Sequence, residues 1–355
     1  MRAPQSAGPV VVTRAEGSDG PLSRELRGLG LTVLSWPAVR VAPADRGALD
    51  AALALWQARE VASRIAAQPD APPVELVHIR TSGDEQTERP LWQVRGQAFF
   101  TREIDRALLE GRVDVAVHSL KDLPTQLDAG LELAALLPRA DPRDALVGRG
   151  GATLAALPAG ARIGTSSLRR RAFLARLRPD ARLLELRGNV PTRIERLQRG
   201  EYDAIVLAAA GLVRLDLAQH ITEYLPAESF PPAVSQGVIG VCARSADEAT
   251  RRWLAALDAS DARLAASAER ALLRHLEGGC QVPLGALATV QGDMLTLNAC
   301  VCALDGTRHL SARGEARATC AEAEALGVRV AEELLTRGAA ELMASERQAR
   351  AVEAP

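Results

Sequence analysis

The 355-residue chain reads as an α/β protein of three domains: two hinged lobes with a cleft between them, then a smaller α+β C-terminal domain. Three observations predict this. From about Val74 to Ala243, short β-branched runs alternate with arginine-studded helical patterns, the signature of α/β layers built on mainly parallel sheets. Two turn-rich stretches, Pro138–Asp144 and Pro226–Gln236, stand where a chain would leave one lobe and return to it. After about Ala259 the alternation gives way to one long helix, polar-alternating strands and a last helix.

The elements follow in order. Apolar, branched runs predict strands at Val74–Ile79, Val113–Val117, Leu131–Leu136, Arg162–Thr165, Leu183–Leu186 and Ala204–Leu207. Between them, helices are expected at Phe100–Glu110, Ser167–Leu177 and Pro191–Gln198, each ending near a Gly or Pro. The C-terminal part predicts a helix Asp261–Glu277, strands around Ala286–Val290, Thr296–Cys302 and His309–Gly314, and a helix from Cys320 to Ala344, with frayed residues from Ser345 onward. The expected domains are an atypical N-terminal βαβ segment at 1–53, a first lobe from 54–138 plus 237–257, a basic second lobe at 142–232, and the C-terminal domain at 259–345.

Composition excludes several classes. Forty-three basic against 44 acidic residues leave a formal charge of -1, so no overall basic excess drives nucleic-acid binding. Aromatic residues are only 3%, so the cores must be built from Leu, Val, Ile and Ala. Every basic residue except Lys121 is arginine. The five cysteines are scattered over the C-terminal third without CxxC or metal spacing, which predicts no metal and a reduced, cytoplasmic chain. The longest apolar run, Ile205 to Val213, is too short to cross a bilayer, and no membrane partner is expected.

Three stretches could carry chemistry. Between Arg162 and Arg199, eleven arginines face three acids, a net of +8 hidden inside a neutral chain. There Thr165, Ser166 and Ser167 gather hydroxyls and backbone N–H groups at a helix start, an anion site; Arg169 and Arg170 follow, and Arg187, Gly188 and Arg193 repeat the arrangement. A solvated basic face would give the same run. The second stretch, His118-Ser119-Leu120-Lys121-Asp122, follows an apolar strand, where ligands of open α/β sheets bind. Its Lys–Asp pair fits a loop ion pair, or a carboxylate tuned for proton transfer; His118 fits packing or capping. In the third, Gly278-Gly279-Cys280, a helix stop delivers a thiol into a constrained loop, either inert or activated.

Together with Ala54-Leu55-Trp56-Gln57-Ala58, TSGD (81–84), DPRDA (141–145) and YDAIVLA (202–208), these stretches resemble, in collinear order over some 300 residues, the porphobilinogen deaminase (hydroxymethylbilane synthase) family. The resemblance implies a transferase that joins four porphobilinogen molecules head to tail, releasing ammonia, on a covalent dipyrromethane cofactor. It implies two lobes like those of periplasmic binding proteins and a third domain carrying the cofactor cysteine. By the same resemblance Cys280 holds the cofactor as a thioether and Asp122 is the catalytic carboxylate. Lys121, Ser119, Thr165, Ser167, Arg169, Arg170 and Gly188 bind the cofactor, and Arg187, Arg193 and Ser166 bind substrate carboxylates. A monomer is expected, with hand-over of product to uroporphyrinogen-III synthase. A dozen carboxylates on a growing chain would account for a basic lobe.

The chain also departs from the family pattern. Where a Thr-Arg-x-Ser segment normally precedes the first helix, this chain has Ala48-Leu49-Asp50-Ala51. Residues 9–53 resemble instead the start of uroporphyrinogen-III synthase. Either Val10–Thr13 takes the lost strand's place, with Arg14 restoring the arginine, or the first lobe is damaged; a third alternative makes the unit an appendage. Arg95-Gly96-Gln97-Ala98 replaces a Gly-Gly-Lys-Gly loop, with Arg95 or Arg102 as replacement charges, and Ser235 stands where glycine is usual. The alternative function is an impaired, deaminase-like protein that binds anionic pyrroles without polymerising them.

Overall fold

The computed structural model describes residues 10–12, 33–35, 39–43, 51–77, 79, 102–276 and 283–344. Val10–Val12 (β1) and Val33–Ser35 (β2) pair in parallel as a sheet of their own. The first lobe starts with Val39–Pro43 (β3). Helix Ala51–Ala66 (α1) follows, then Val74–Leu76 (β4), helix Arg102–Leu109 (α2), Val115–Ser119 (β5) and Leu131–Leu136 (β6). β3 runs parallel between β4 and β5. Its Val39 and Val41 are buried against Ala58, Val61 and Ile65 of α1 and against Val115 and Val117 of β5, which is why this segment is held in the sheet.

This pairing bears on the alternatives for the N-terminus and on the expected 1–53 segment. The strand ahead of α1 is Val39–Pro43 and not Val10–Thr13, whose described residues pair with β2. The stretch 1–53 is not wholly separate either, because its last described strand belongs to the first lobe. Arg14, the TSGD segment at 81–84 and the loop 95–98 lie outside the described residues, as do Cys280 and residues 345–355.

The chain then crosses into the second lobe. Its elements are Asp144–Gly148 (β7), Arg162–Gly164 (β8), helix Leu168–Leu177 (α3), Arg182–Leu184 (β9), helix Val190–Gln198 (α4), Ala204–Ala208 (β10), helix Ala209–Arg214 (α5) and Glu223–Tyr224 (β11). The strand order is β11-β7-β10-β8-β9. It returns as Ile239–Arg244 (β12), which closes the first sheet in the order β4-β3-β5-β12-β6. Both sheets are mixed rather than mainly parallel: β12 runs antiparallel to β5 and β6, and β7 antiparallel to β10. The cause is the double crossing, since a strand entered from the other lobe arrives against the local direction. β7 and β12 went unforeseen because each opens beside turn-rich sequence.

The crossings lie side by side. Ala140 N–H donates to the Gly237 carbonyl at 3.1 Å, and Arg139 Nε to the Gln236 carbonyl at 3.1 Å. Gly237 has φ +91°, and a Cβ on it would stand 2.6 Å from the Ala140 oxygen. Gly237→Ala is therefore expected to cost about 1–3 kcal/mol from backbone conformation alone, more with the clash. A thermal melt checks it, and an unchanged midpoint would refute this account of the hinge.

Helix Glu248–Ala255 (α6) covers the first lobe and leads to the third domain: helix Ser260–His275 (α7), strands Leu284–Gln291 (β13), Met294–Cys302 (β14) and His309–Arg317 (β15), and helix Cys320–Thr336 (α8). The three strands form an antiparallel sheet. The last helix does not run unbroken to Ala344: Gly338 adopts φ +95° and interrupts it before helical geometry resumes over 339–344. This domain touches both lobes. Ala262 and Ala266 of α7 enter the first lobe's core, while Cys300 and Cys302 of β14 join Phe173 and Phe230 in the second lobe's core.

Candidate active site

The first lobe offers the end of a buried strand. β5 is buried over its first four residues, and Leu120, fully buried, pins the 3-10 turn Leu120–Asp122 that follows. Leu120 N–H donates to the Val238 carbonyl at 3.0 Å, tying this turn to the returning chain. Lys121 and Asp122, both half-buried, thus face the cleft. Gln57 of α1 donates from Nε2 to Ser119 Oγ at 2.7 Å, and Lys121 Nζ to Gln236 Oε1 at 3.4 Å.

The second lobe offers two strand-to-helix turns. After β8, Ser167 caps α3 by accepting from Arg170 N–H at 3.4 Å, Thr165 Oγ1 accepts from Ser167 N–H at 3.2 Å, and Ser166 Oγ donates to the Leu186 carbonyl. After β9, Asn189 caps α4 by accepting from Thr192 N–H at 2.7 Å. Gly188 has φ +115°, and its carbonyl accepts from Arg193 Nε at 2.6 Å.

Arg169 and Arg170 both reach Asp144, the first residue of β7. Arg169 Nη2 is 2.7 Å from Oδ2; Arg170 donates to Oδ1 from Nη2 at 2.7 Å and from Nε at 3.0 Å. Gln236 Nε2 also donates to Oδ1, at 3.1 Å. Burial alone would push the Asp144 carboxyl up, but the two guanidinium charges outweigh it and hold the group below the ordinary carboxylate range. Arg169 donates from Nη1 to the Pro231 carbonyl at 2.6 Å, leaves its buried Nε without a hydrogen-bond partner, and lies 5.7 Å from the centre of the Phe230 ring.

A cavity of about 180 Å³ lies between the lobes. Among the described residues four cations line it, Lys121, Arg170, Arg193 and Arg214, against one carboxylate, Asp122. Leu53, Val190 and Leu207 supply apolar wall. Of the expected site residues, Ser119, Lys121, Asp122, Arg170 and Arg193 meet here. Thr165, Ser166, Ser167, Arg169, Arg187 and Gly188 do not line it. Arg169, expected to bind the cofactor, has its buried guanidinium on Asp144 and the Pro231 carbonyl, and Arg170 is held just as firmly, by Asp144 and by the Val206 carbonyl at 3.0 Å. The hydroxyls of Thr165, Ser166 and Ser167 shape the turn that carries Arg170, while Arg187 keeps a buried Nη2 without a hydrogen-bond partner.

The basic excess of the second lobe is also redistributed. Arg162 pairs with Asp203, Arg178 with Asp180, and Arg196 and Arg199 with Glu201, on outer surfaces. From the run 162–199, only Arg170 and Arg193 line the cavity.

Sequence reasoning missed Gln57, Asp144, Arg214 and Gln236. Asp144 stood inside the DPRDA motif and Arg214 at a helix end, but nothing local marks either as facing a cleft. Burial lowers the Arg214 pKa to about 10. A further buried acid, Glu269 of α7, ties down the crossings: it accepts from Arg139 through both oxygens at 2.7 Å and from Ser235 N–H at 2.6 Å. Ser235 is held there at φ 63° with its hydroxyl buried and without a hydrogen-bond partner, which explains why glycine suits the position.

Residues 47–252 match the family model described as porphobilinogen deaminase, dipyromethane cofactor binding domain, and residues 263–336 match the porphobilinogen deaminase C-terminal domain. The porphobilinogen deaminase of Roseiflexus sp. (strain RS-1) is 52% identical over 271 residues, 76% of this chain and 88% of that protein. That of Geobacter metallireducens is 47% identical over 292 residues, 82% of this chain and 91% of its own. Among solved structures, an ABC transporter from Parabacteroides distasonis aligns with a TM-score of 0.36 and 13% identity, covering 61% of this chain and 69% of that one. The described turn bearing Asp122, the basic cleft and most of the third domain fall inside the matched ranges, and the chain belongs to the porphobilinogen deaminase family.

Proposed function

We propose that the inter-lobe cavity is where this enzyme condenses porphobilinogen, with Asp122 as the acid–base group and Lys121, Arg170, Arg193 and Arg214 as carboxylate partners. The chain is a transferase, a hydroxymethylbilane synthase, using a dipyrromethane cofactor. One observation carries the reading: among the described residues, four cations and a single carboxylate line one cavity between the lobes. Porphobilinogen carries acetate and propionate groups, which guanidinium forks bind with paired hydrogen bonds. The donor set therefore fits both a polycarboxylate cofactor and its substrate. The cofactor supplies the pyrrole carbon to which the first incoming ring is joined.

The protein's own part is positional and electrostatic. The amino group of the substrate's aminomethyl arm, once protonated, leaves as ammonia with the electrons of the C–N bond, and positive charge then spreads from the remaining methylene carbon into the pyrrole ring. A fixed carboxylate at Asp122 stabilises that charge and can pass a proton to or from it. Gln57, through Ser119, and Gln236, through Lys121, hold the turn that carries it.

Cys280, outside the described residues, is the attachment point in this reading. Cys242 and Cys300 are buried thiols; burial pushes Cys242 up to about 12 and Cys300 upward, which makes both poor nucleophiles. Intact-mass and peptide measurements on the protein reconstituted with porphobilinogen should find the adduct on Cys280 and lose it in Cys280→Ala. Turnover with Cys280 unmodified would overturn the assignment. No helix among the described residues is long and apolar enough to cross a membrane. Buried thiols support the cytoplasm as the compartment, and the reading takes the enzyme as a monomer that hands its linear product to uroporphyrinogen-III synthase.

A further inference from the structure

Across the cavity mouth, α1 of the first lobe faces α5 of the second. Leu53, Trp56 and Gln57 are spaced to share one face of α1. Leu53 packs near Gly211 of α5, where a Cβ would lie at ordinary contact distance, 3.9 Å, from the Leu53 side chain. One turn further, the Arg214 guanidinium lies 5.7 Å from the centre of the Trp56 ring, while its Nη2 donates to the Gly237 carbonyl at 2.7 Å. Trp56 is 36% exposed and is not itself a lining residue, whereas Arg214 is. The ring therefore contacts the arginine without entering the cavity.

We propose that Trp56 is a positioning residue, contributed by the first lobe, that holds the second lobe's Arg214 ready for a substrate carboxylate only when the lobes are closed. A tethered arginine in the second lobe would otherwise sample many rotamers, and ordering it costs binding free energy. The indole face supplies an attractive surface for the cation, and the Gly237 carbonyl at the hinge fixes the second direction. Because the ring and the guanidinium sit on different lobes, opening the cleft separates them, and Arg214 loses its orientation as the product chain is released. This inference rests on the reading of Arg214 as a carboxylate partner.

The test compares holoenzymes carrying Trp56→Leu, Trp56→Phe, Arg214→Ala and the Trp56→Leu/Arg214→Ala pair, using porphobilinogen as ligand. Trp56→Leu should raise KM about tenfold, equivalent to about 1.4 kcal/mol, with kcat little changed, as expected for lost binding that is equal in ground and transition states. It should also shrink the thermal stabilisation given by porphobilinogen. Trp56→Phe should recover much of both effects, and Trp56→Leu should add little on top of Arg214→Ala. The inference is overturned if Arg214→Ala raises KM but Trp56→Leu does not, if the two effects are additive, or if Trp56→Leu lowers the melting midpoint without touching KM. An unchanged KM in Arg214→Ala would instead remove the carboxylate reading on which the inference stands.

Discussion

Asp122→Asn should lower the rate of porphobilinogen consumption by about 10²- to 10⁴-fold, the range for removing a positioned acid–base group. Folding should survive, because the side chain is half-buried at the cavity wall and the turn is held by Leu120 in the core and by the Leu120 N–H bond to Val238. Asparagine keeps the shape and removes the charge, so the change isolates what the carboxylate does. Thermal melts run beside ammonia-release assays separate the two readings. A variant that melts like the wild type and turns over at a similar rate would eliminate Asp122 as the acid–base group, leaving the cavity as a binding site alone.

Asp144→Asn is expected to be the most destabilising single change in the second lobe, by about 3–5 kcal/mol, because removing one partner from a buried ionic cluster leaves the remaining charges uncompensated. Two guanidinium groups depend on that carboxylate, with side-chain exposures of 4% and 8%. Against a total stability of about 5–15 kcal/mol, the loss is large. Since Asp144 is held below its ordinary pKa, its contribution is present above the unfolded carboxyl value and is lost as pH falls through the lowered folded value. The variant should therefore show a shallower loss of stability on acidification. Turnover should fall too, because Arg170 reaches the cavity from the same ion pair. Urea unfolding at neutral and acid pH checks this; an unchanged midpoint at neutral pH would refute the account.

Much of the cleft was legible in the sequence because strand ends and helix starts write themselves locally. Val113–Val117 announced a buried strand although the sheet pairing begins at Val115, and the residues that follow it, Ser119 to Asp122, had to emerge at its carboxyl end. Ser167 before an arginine-bearing helix similarly announced a cap. Arg169 and Arg170 were indistinguishable on that basis: adjacent on one helix and of one chemistry, both bind Asp144 and one backbone carbonyl, Pro231 for Arg169 and Val206 for Arg170, and only Arg170 borders the cavity. Asp144 was invisible for the same reason, since its partners lie 25 and 26 residues away in sequence.

The origin of the first lobe's leading strand shows the limit most clearly. Valines at 10–12 and at 39 and 41 have equal claim to a strand by composition, and pairing alone decides between them; β3 wins its place through Val39 and Val41, which pack against α1 and β5. The sequence by itself determined the class of the protein, the order of its layers, Lys121, Asp122, Arg170 and Arg193 as residues of the cleft, and the cysteine proposed to hold the cofactor. Only the tertiary structure decided which arginines line the cavity and which pair elsewhere, and that Arg214 and Trp56 meet across the cavity mouth. The physical reason is that periodicity and capping are local properties of the chain, whereas the neighbour of a buried charge is set by how separate segments pack.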